Sequence, residues 1–366
     1  MSTSDTRFMQ TALALGRRGL GLTWPNPAVG CVLVKGGRIV GRGWTQPGGR
    51  PHAEVMALTQ AGAAAKGATA YVTLEPCSHT GKTGPCAQAL IEAGILRVVS
   101  ALEDPDTRVS GRGHDMLRHA GIVVDVGCLQ SEARRANAGF LARVELDRPF
   151  VTLKLAASFD GRIATGSGES QWITGPHARR AVHAMRASHD AVMVGAGTSR
   201  QDDPSLTVRG LGIDRQPVRI VISRRLDVPL MGQLARSAQD IPLWLCHGHD
   251  ADPALIETWA GLGARLFACD AVSGFLDLRH VMYALAGSGL TRVFCEGGGQ
   301  LAASLLALDL VDQLVGFNAG VTIGAEGLPA IGALGLLSLS DAPRFDLQSL
   351  QAVGGDTLHI WQRTTT

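Results

Sequence analysis

Two kinds of metal-binding side chain and one proton-moving side chain follow one another early in the sequence: His52-Ala53-Glu54, then Pro76-Cys77, then Cys86. Zinc favours nitrogen and sulfur ligands in a tetrahedral array, and a catalytic zinc keeps one position for water. His52, Cys77 and Cys86 supply three such ligands, so one zinc per chain is expected with water as its fourth ligand. Glu54 stands two positions after His52 at the start of an expected helix, close enough to reach that water without ligating the metal. A carboxylate there can take a proton from the water and hand it on to a substrate nitrogen. Each fragment alone is commonplace, since His-Ala-Glu occurs on many helices and cysteines are often merely buried. Their order behind a strand ending in Glu75-Pro76-Cys77 is what points to a reactive metal centre.

A second group of residues suits a phosphorylated nucleotide. An apolar strand ending at Glu296 runs into Gly297-Gly298-Gly299 and then an expected helix from Gln300. Glycines between a strand and a helix let backbone N–H groups approach a phosphate at the helix N-terminus. The spacing is not Gly-x-Gly-x-x-Gly, so a Rossmann domain is not expected. Ser223, Arg224 and Arg225 follow another strand; a hydroxyl and two guanidinium groups there could hold the 2′-phosphate of NADPH. An ordinary solvated arginine pair is the alternative.

The His-x-Glu and Pro-Cys elements are those of zinc nucleobase deaminases, but here the cysteines are not Cys-x-x-Cys. They enclose Ser78-His79-Thr80-Gly81-Lys82-Thr83-Gly84-Pro85. With Pro25-Asn26-Pro27-Ala28-Val29-Gly30 and Pro51-His52-Ala53-Glu54, this segment resembles the bifunctional riboflavin-biosynthesis deaminase–reductases. The resemblance continues through Lys154-Leu155-Ala156-Ala157-Ser158-Phe159-Asp160-Gly161, Ser170-Gln171-Trp172-Ile173-Thr174-Gly175, Asp202-Asp203-Pro204-Ser205-Leu206-Thr207-Val208-Arg209 and Glu296-Gly297-Gly298-Gly299. It implies that Asn26, His79 and Lys82 contact the pyrimidine or its sugar phosphate. In the second half it implies that Lys154, Ser170, Arg186, Leu206, Arg209 and Glu296 face the substrate. Ala156, Trp172, Thr198 and Asp202 would face NADPH; Trp172 taken alone would more often be a core residue. The implied substrate is a diaminopyrimidinone ribosyl phosphate, deaminated at ring C2 and then reduced at sugar C1′. The family's Asp-Pro-Asn-Pro run reads Asp104-Pro105-Asp106-Thr107 here, so no substrate contact is assigned to 104–113.

The elements that must position these residues fall into two series that meet near Asp147, Arg148 and Pro149, giving expected domains 1–147 and 148–366. In the first, a helix over 5–19 presents Phe8, Ala12 and Leu15, and strands over 28–35 and 38–44 are joined by a tight Gly36-Gly37 turn. A helix over 52–61, a strand over 70–74, a helix over 86–93 and a strand over 97–102 follow, then a helix–strand–helix run to Phe140. In the second, strands are expected over 150–156, 191–194, 218–222, 243–246 and 292–296, with helices over 178–188 and 300–307. Both series are α/β. The resemblance implies a cytidine-deaminase-like mixed sheet for the first domain and a dihydrofolate-reductase-like fold for the second.

The whole-chain figures narrow the rivals. A nucleic-acid deaminase would be expected to carry a basic face with aromatic stacking residues, whereas 34 Lys and Arg stand against 32 Asp and Glu and aromatic residues are 5%. A non-catalytic zinc module would require a fourth protein ligand and no Glu54. No apolar run is long enough for a membrane span, and the first residues, MSTSDTRFMQ, carry no export signal. Seven cysteines at uneven spacing suit a reduced, cytoplasmic protein. A small-molecule substrate, no nucleic-acid or membrane partner, and a homo-oligomer are expected.

Overall fold

The computed structural model describes residues 2–78, 84–106 and 110–364. The chain divides into two compact units, Met1–Arg148 and Pro149–Thr366.

The first unit begins with helix α1 (Thr3–Gly16), started by a reciprocal cap in which the Ser2 hydroxyl accepts from the Asp5 N–H and the Asp5 carboxylate accepts from the Ser2 N–H. Strands β1 (Gly30–Lys35) and β2 (Arg38–Trp44) form an antiparallel hairpin. Its turn, Gly36-Gly37, has φ of 56° and 74°, the left-handed pair that a two-residue hairpin requires. Next come α2 (Ala53–Ala61), β3 (Thr69–Val72), α3 (Cys86–Glu92), β4 (Arg97–Ser100), α4 (Arg112–His119), β5 (Val123–Val126), α5 (Gln130–Ala136) and α6 (Ala138–Glu145). The sheet order is β2-β1-β3-β4-β5; β1 is antiparallel to both neighbours, and β3, β4 and β5 run parallel. Helix α2 lies directly on β2: a Cβ at Gly43 would come within 2.0 Å of the Ala53 carbonyl oxygen, and one at Gly41 within 2.2 Å of that of Ala57. Only glycine permits that approach, and it fixes the end of α2 that carries His52 and Glu54.

The second unit contains β6 (Phe150–Ala157), β7 (Arg162–Ala164), α7 (Pro176–Ala187), β8 (Ala191–Gly195), α8 (Ala196–Asp202), β9 (Val218–Ile222), α9 (Gln233–Arg236), β10 (Leu243–Gly248), α10 (Pro253–Gly261) and β11 (Arg265–Cys269). A small hairpin, β12 (Ala271–Val272) and β13 (Phe275–Leu276), precedes α11 (Leu278–Gly287), β14 (Arg292–Cys295), α12 (Gly299–Ala307), β15 (Gln313–Asn318), β16 (Leu328–Pro329), β17 (Phe345–Val353) and β18 (Asp356–Arg363). The main sheet has the order β11-β10-β9-β8-β14-β6-β15-β18-β17. Its strands run parallel from β11 through β15, and the terminal β17–β18 hairpin is antiparallel. The chain builds outward from β8 to β11, then returns to insert β14 between β8 and β6. At such a reversal the loops leaving neighbouring strands diverge and open a crevice at their carboxyl ends. No helix among the described residues is long and apolar enough to cross a membrane.

Candidate functional site

In the first unit, the loop before α2, the loop after β3 and the first turn of α3 converge. His52 is the N-cap of α2 and Cys86 is the first residue of α3. His52 Nδ1 lies 3.2 Å from Cys86 Sγ and 3.6 Å from Cys77 Sγ, and all three ligand atoms lie within 4.8 Å of one another. Tetrahedral zinc, with bonds of about 2.0–2.1 Å to nitrogen and about 2.3 Å to sulfur, holds such atoms about 3.5–3.8 Å apart, so the donor set fits that ion. Among the described residues these three form the one His, Cys, Asp or Glu cluster of this kind. The Cys86 N–H donates to Cys77 Sγ at 3.3 Å. The hydrogen bond from the Cys86 thiol, together with the neighbouring His52 and that N–H, holds the Cys77 thiol down to about 4, and the same contact pushes the Cys86 thiol up; zinc takes both cysteines as thiolates. Glu54, 4% exposed, sits in the first turn of α2; burial pushes its carboxyl up to about 7.

Glu75 was not anticipated from sequence as part of this architecture. Its buried carboxylate accepts from the backbone N–H groups of Asp104, Gly111, Gly113 and His114 at 2.8–3.2 Å. It thereby ties the turn carrying Cys77 to the start of α4. A Cβ at Gly113 would meet the Pro76 carbonyl oxygen at 1.9 Å, so the start of α4 packs against the ligand-bearing turn. The acid directly before Pro76-Cys77 was the available signal. Asn26 lies against Gly49, whose added Cβ would fall 2.0 Å from Asn26 Nδ2, near the segment leading to His52. His79 and Lys82 lie outside the described residues.

In the second unit, a cleft opens where β14 is inserted. Lys154, Ala156, Ser170, Thr198, Asp202, Glu296, Gly297 and Gly298 line it, together with Gln201, Ile163, Leu328 and Ala330, which the sequence did not single out. Glu296 is the electrostatic centre. Arg186 grips its carboxylate through Nε at 2.5 Å and Nη2 at 3.1 Å, and Lys154 Nζ stands 3.8 Å from Oε2. Burial opposes its ionisation, but the two cations hold Glu296 below the usual carboxylate range, while burial lowers Lys154. Burial raises Asp202. Gly298 is the N-cap of α12, and an added Cβ there would meet only Thr198 Oγ1, at 3.7 Å. That open approach to a helix N-terminus fits a cofactor phosphate.

Several expected residues take other places. Leu206 has φ of 54° and is 2% exposed, its side chain in the core with Val192 and Leu226; it can offer a ligand only its backbone. Gly299 serves packing, because its Cβ would fall 2.5 Å from the Pro329 carbonyl oxygen. Trp172 is 69% exposed rather than core, with the Arg179 guanidinium 4.5 Å over its ring, and it is not among the residues lining the cleft. Arg209 is exposed, its N–H 3.3 Å from His183 Nδ1. Ser223, Arg224 and Arg225 stand at the end of β9 and are not among the cleft-lining residues either. The Ser223 hydroxyl donates to Asp227 Oδ1 at 2.5 Å, and Arg224 is ion-paired with Asp250.

Comparison with known proteins agrees with this division. The cytidine and deoxycytidylate deaminase zinc-binding region matches residues 2–102, and the RibD C-terminal domain matches residues 149–359. The chain is 42% identical to the riboflavin biosynthesis protein RibD of Escherichia coli (strain K12), over 97% of this chain and 99% of that protein. It is 40% identical to the RibD of Aquifex aeolicus (strain VF5), over 98% of each. Among solved structures, Acinetobacter baumannii RibD matches with a TM-score of 0.89 at 36% identity, covering 99% of both chains. A Thermotoga maritima diaminohydroxyphosphoribosylaminopyrimidine deaminase/5-amino-6-(5-phosphoribosylamino)uracil reductase matches with a TM-score of 0.86 at 34% identity, again over 99% of both.

Proposed function

The chain belongs to the RibD family of riboflavin-biosynthesis proteins, and from that premise we propose how its own residues divide two reactions. It is a bifunctional enzyme, a zinc-dependent deaminase and an NADPH-dependent reductase. We assign the deaminase to 1–147 and the reductase to 148–366. The substrate is 2,5-diamino-6-ribosylamino-4(3H)-pyrimidinone 5′-phosphate, and the product of both steps is 5-amino-6-(5-phosphoribitylamino)uracil.

The convergence of His52 Nδ1, Cys77 Sγ and Cys86 Sγ beside buried Glu54 is the observation that carries the reading. His52, Cys77 and Cys86 hold the zinc. When bound, zinc supplies the Lewis acidity that makes water a nucleophile near neutral pH. Glu54 takes the proton from the attacking water and delivers protons to the ring nitrogen and the departing ammonia. Its buried place beside the three ligand atoms puts the carboxyl within reach of both transfers. Asn26, His79 and Lys82 bind the pyrimidine and its sugar phosphate.

In the reductase, NADPH when bound supplies the hydride. Lys154, Ser170, Arg186, Leu206, Arg209 and Glu296 orient the ribosyl phosphate, with Leu206 contributing through its backbone. Glu296 holds Arg186 and Lys154 in fixed places, so two cations face an anionic substrate without reorganising. Ala156, Trp172, Thr198, Asp202, Gly297 and Gly298 bind the cofactor, with Gly299 shaping the turn. Ser223, Arg224 and Arg225 read the 2′-phosphate.

We assign the chain to the cytoplasm, a reading supported by seven free cysteines. A homo-oligomer is supported by β17, an edge strand on which Leu347 and Leu350 are 49% and 64% exposed. Ammonia release and NADPH oxidation, measured on the purified, zinc-loaded chain with the diaminopyrimidinone substrate, test the proposal. Both signals are expected, in that order. NADPH oxidation without ammonia release would remove the deaminase assignment, and the converse would remove the reductase.

A further inference from the structure

At the carboxyl ends of β8, β9 and β10, donors suited to an anion are already held by carboxylates. The Ser223 hydroxyl donates to Asp227 Oδ1, Arg200 from α8 pairs with the same carboxylate, and Arg224 pairs with Asp250. The second pair is built over a glycine: a Cβ at Gly248 would fall 2.6 Å from Asp250 Oδ1 and 2.9 Å from Arg224 Cγ. Asp227 and Asp250 are each 54% exposed, so a ligand can reach and displace them.

We propose that Asp227 and Asp250 are specificity-determining residues for the reductase's cofactor, occupying the donors that a 2′-phosphate must take. The inference rests on the assignment of Ser223 and Arg224 to that phosphate. A phosphomonoester brings roughly two negative charges and three acceptor oxygens against one charge and two oxygens for a carboxylate. It can therefore displace the aspartates, which are held by partly exposed ion pairs and, for Asp227, by the Ser223 hydroxyl. A cofactor with a free 2′-hydroxyl displaces nothing and can donate that hydroxyl to a carboxylate, as acidic residues at strand ends do for NAD. The two aspartates thus hold the donors in position while competing with NADPH and favouring NADH. They set the size of the NADPH preference.

The test uses the full-length, zinc-loaded enzyme with the deaminated intermediate, and the ratio of kcat/KM for NADPH to that for NADH in wild type, Asp250→Asn, Asp227→Asn and Arg224→Ala. Each Asp→Asn change is expected to raise the ratio by about twofold to fivefold, the scale of a partly exposed ion pair. Arg224→Ala is expected to lower it by about tenfold or more, the loss of a charge-assisted contact. Titration with adenosine 2′-phosphate should show tighter binding to the two Asp→Asn variants by the same factor. If Arg224→Ala lowers the ratio but the Asp→Asn variants leave it unchanged or reduce it, the inference is overturned and the cofactor assignment stands. If Arg224→Ala leaves the ratio unchanged, the assignment of the 2′-phosphate site fails and the inference with it. Should Asp250→Asn not fold, Asp227→Asn and the nucleotide titration decide by the same outcomes.

Discussion

Glu54 separates a catalytic metal centre from a structural one. It is buried beside the three ligands yet belongs to none of the ligand positions. If it moves protons, Glu54→Gln keeps the shape and hydrogen-bonding capacity of the side chain and removes only the titration. Ammonia release is then expected to fall by at least about a hundredfold, the usual reach of general acid–base catalysis. Metal analysis should still give one zinc per chain, and reduction of the deaminated intermediate should continue. Deamination close to wild type in that variant would strip Glu54 of its role. A fall in zinc content alongside activity would mean that the carboxyl supports the ligands instead.

Among the elements, the junction that keeps β6, β8 and β14 in register is a buried polar network at their amino ends, opposite the cleft. One Asp190 oxygen accepts from the Thr291 N–H, the Thr291 hydroxyl and the Arg292 N–H at 2.7–2.8 Å. Next to it, His189 Nδ1 donates to the Met185 carbonyl at 2.7 Å and Nε2 lies 3.0 Å from the Thr152 hydroxyl. Burial, reinforced by Arg292, holds His189 down to about 4. A histidine in the unfolded chain titrates at about 6.5, so on acidification the unfolded state takes up the proton first. The stability contributed by neutral His189 is complete above about 6.5 and is lost progressively as the pH falls toward about 4. Denaturant unfolding should show wild type losing about 1–3 kcal/mol more than His189→Gln between about pH 7 and pH 4.5. Equal losses would place the titrating group elsewhere.

For the whole molecule, the contacts divide at Arg148/Pro149, and each unit carries its own sheet and core. A fragment of residues 149–366 is therefore expected to fold cooperatively and to oxidise NADPH when given the deaminated intermediate, without releasing ammonia from the diamino substrate. The check is a thermal melt followed by the two assays. A fragment that melts cooperatively but binds neither cofactor nor substrate would show that the reductase site draws on the other unit.

Taken alone, the sequence determined what depends on residue type and short spacing. The ligand chemistry of His52, Cys77 and Cys86 is a property of nitrogen and sulfur. The Gly36-Gly37 turn follows from a backbone region that side chains disfavour. The break near Pro149 lies between two complete series of elements. What only the tertiary structure decided are contacts between distant segments. Arg186 and Glu296 are 110 positions apart and meet because β14 is inserted between β8 and β6, an order no local pattern encodes. Glu75 reads as one more acid until the start of α4 folds over it. Leu206 lay in a motif that suggested ligand contact, but its left-handed backbone turns the side chain into the core. Ser223 and Arg224 were legible as donors; that Asp250 holds Arg224 was not, because Asp250 follows β10, the next strand of a parallel sheet. Local chemistry is written in the chain, whereas the partner of each charge is set by strand order, which arises from the competition of all the apolar faces for one core.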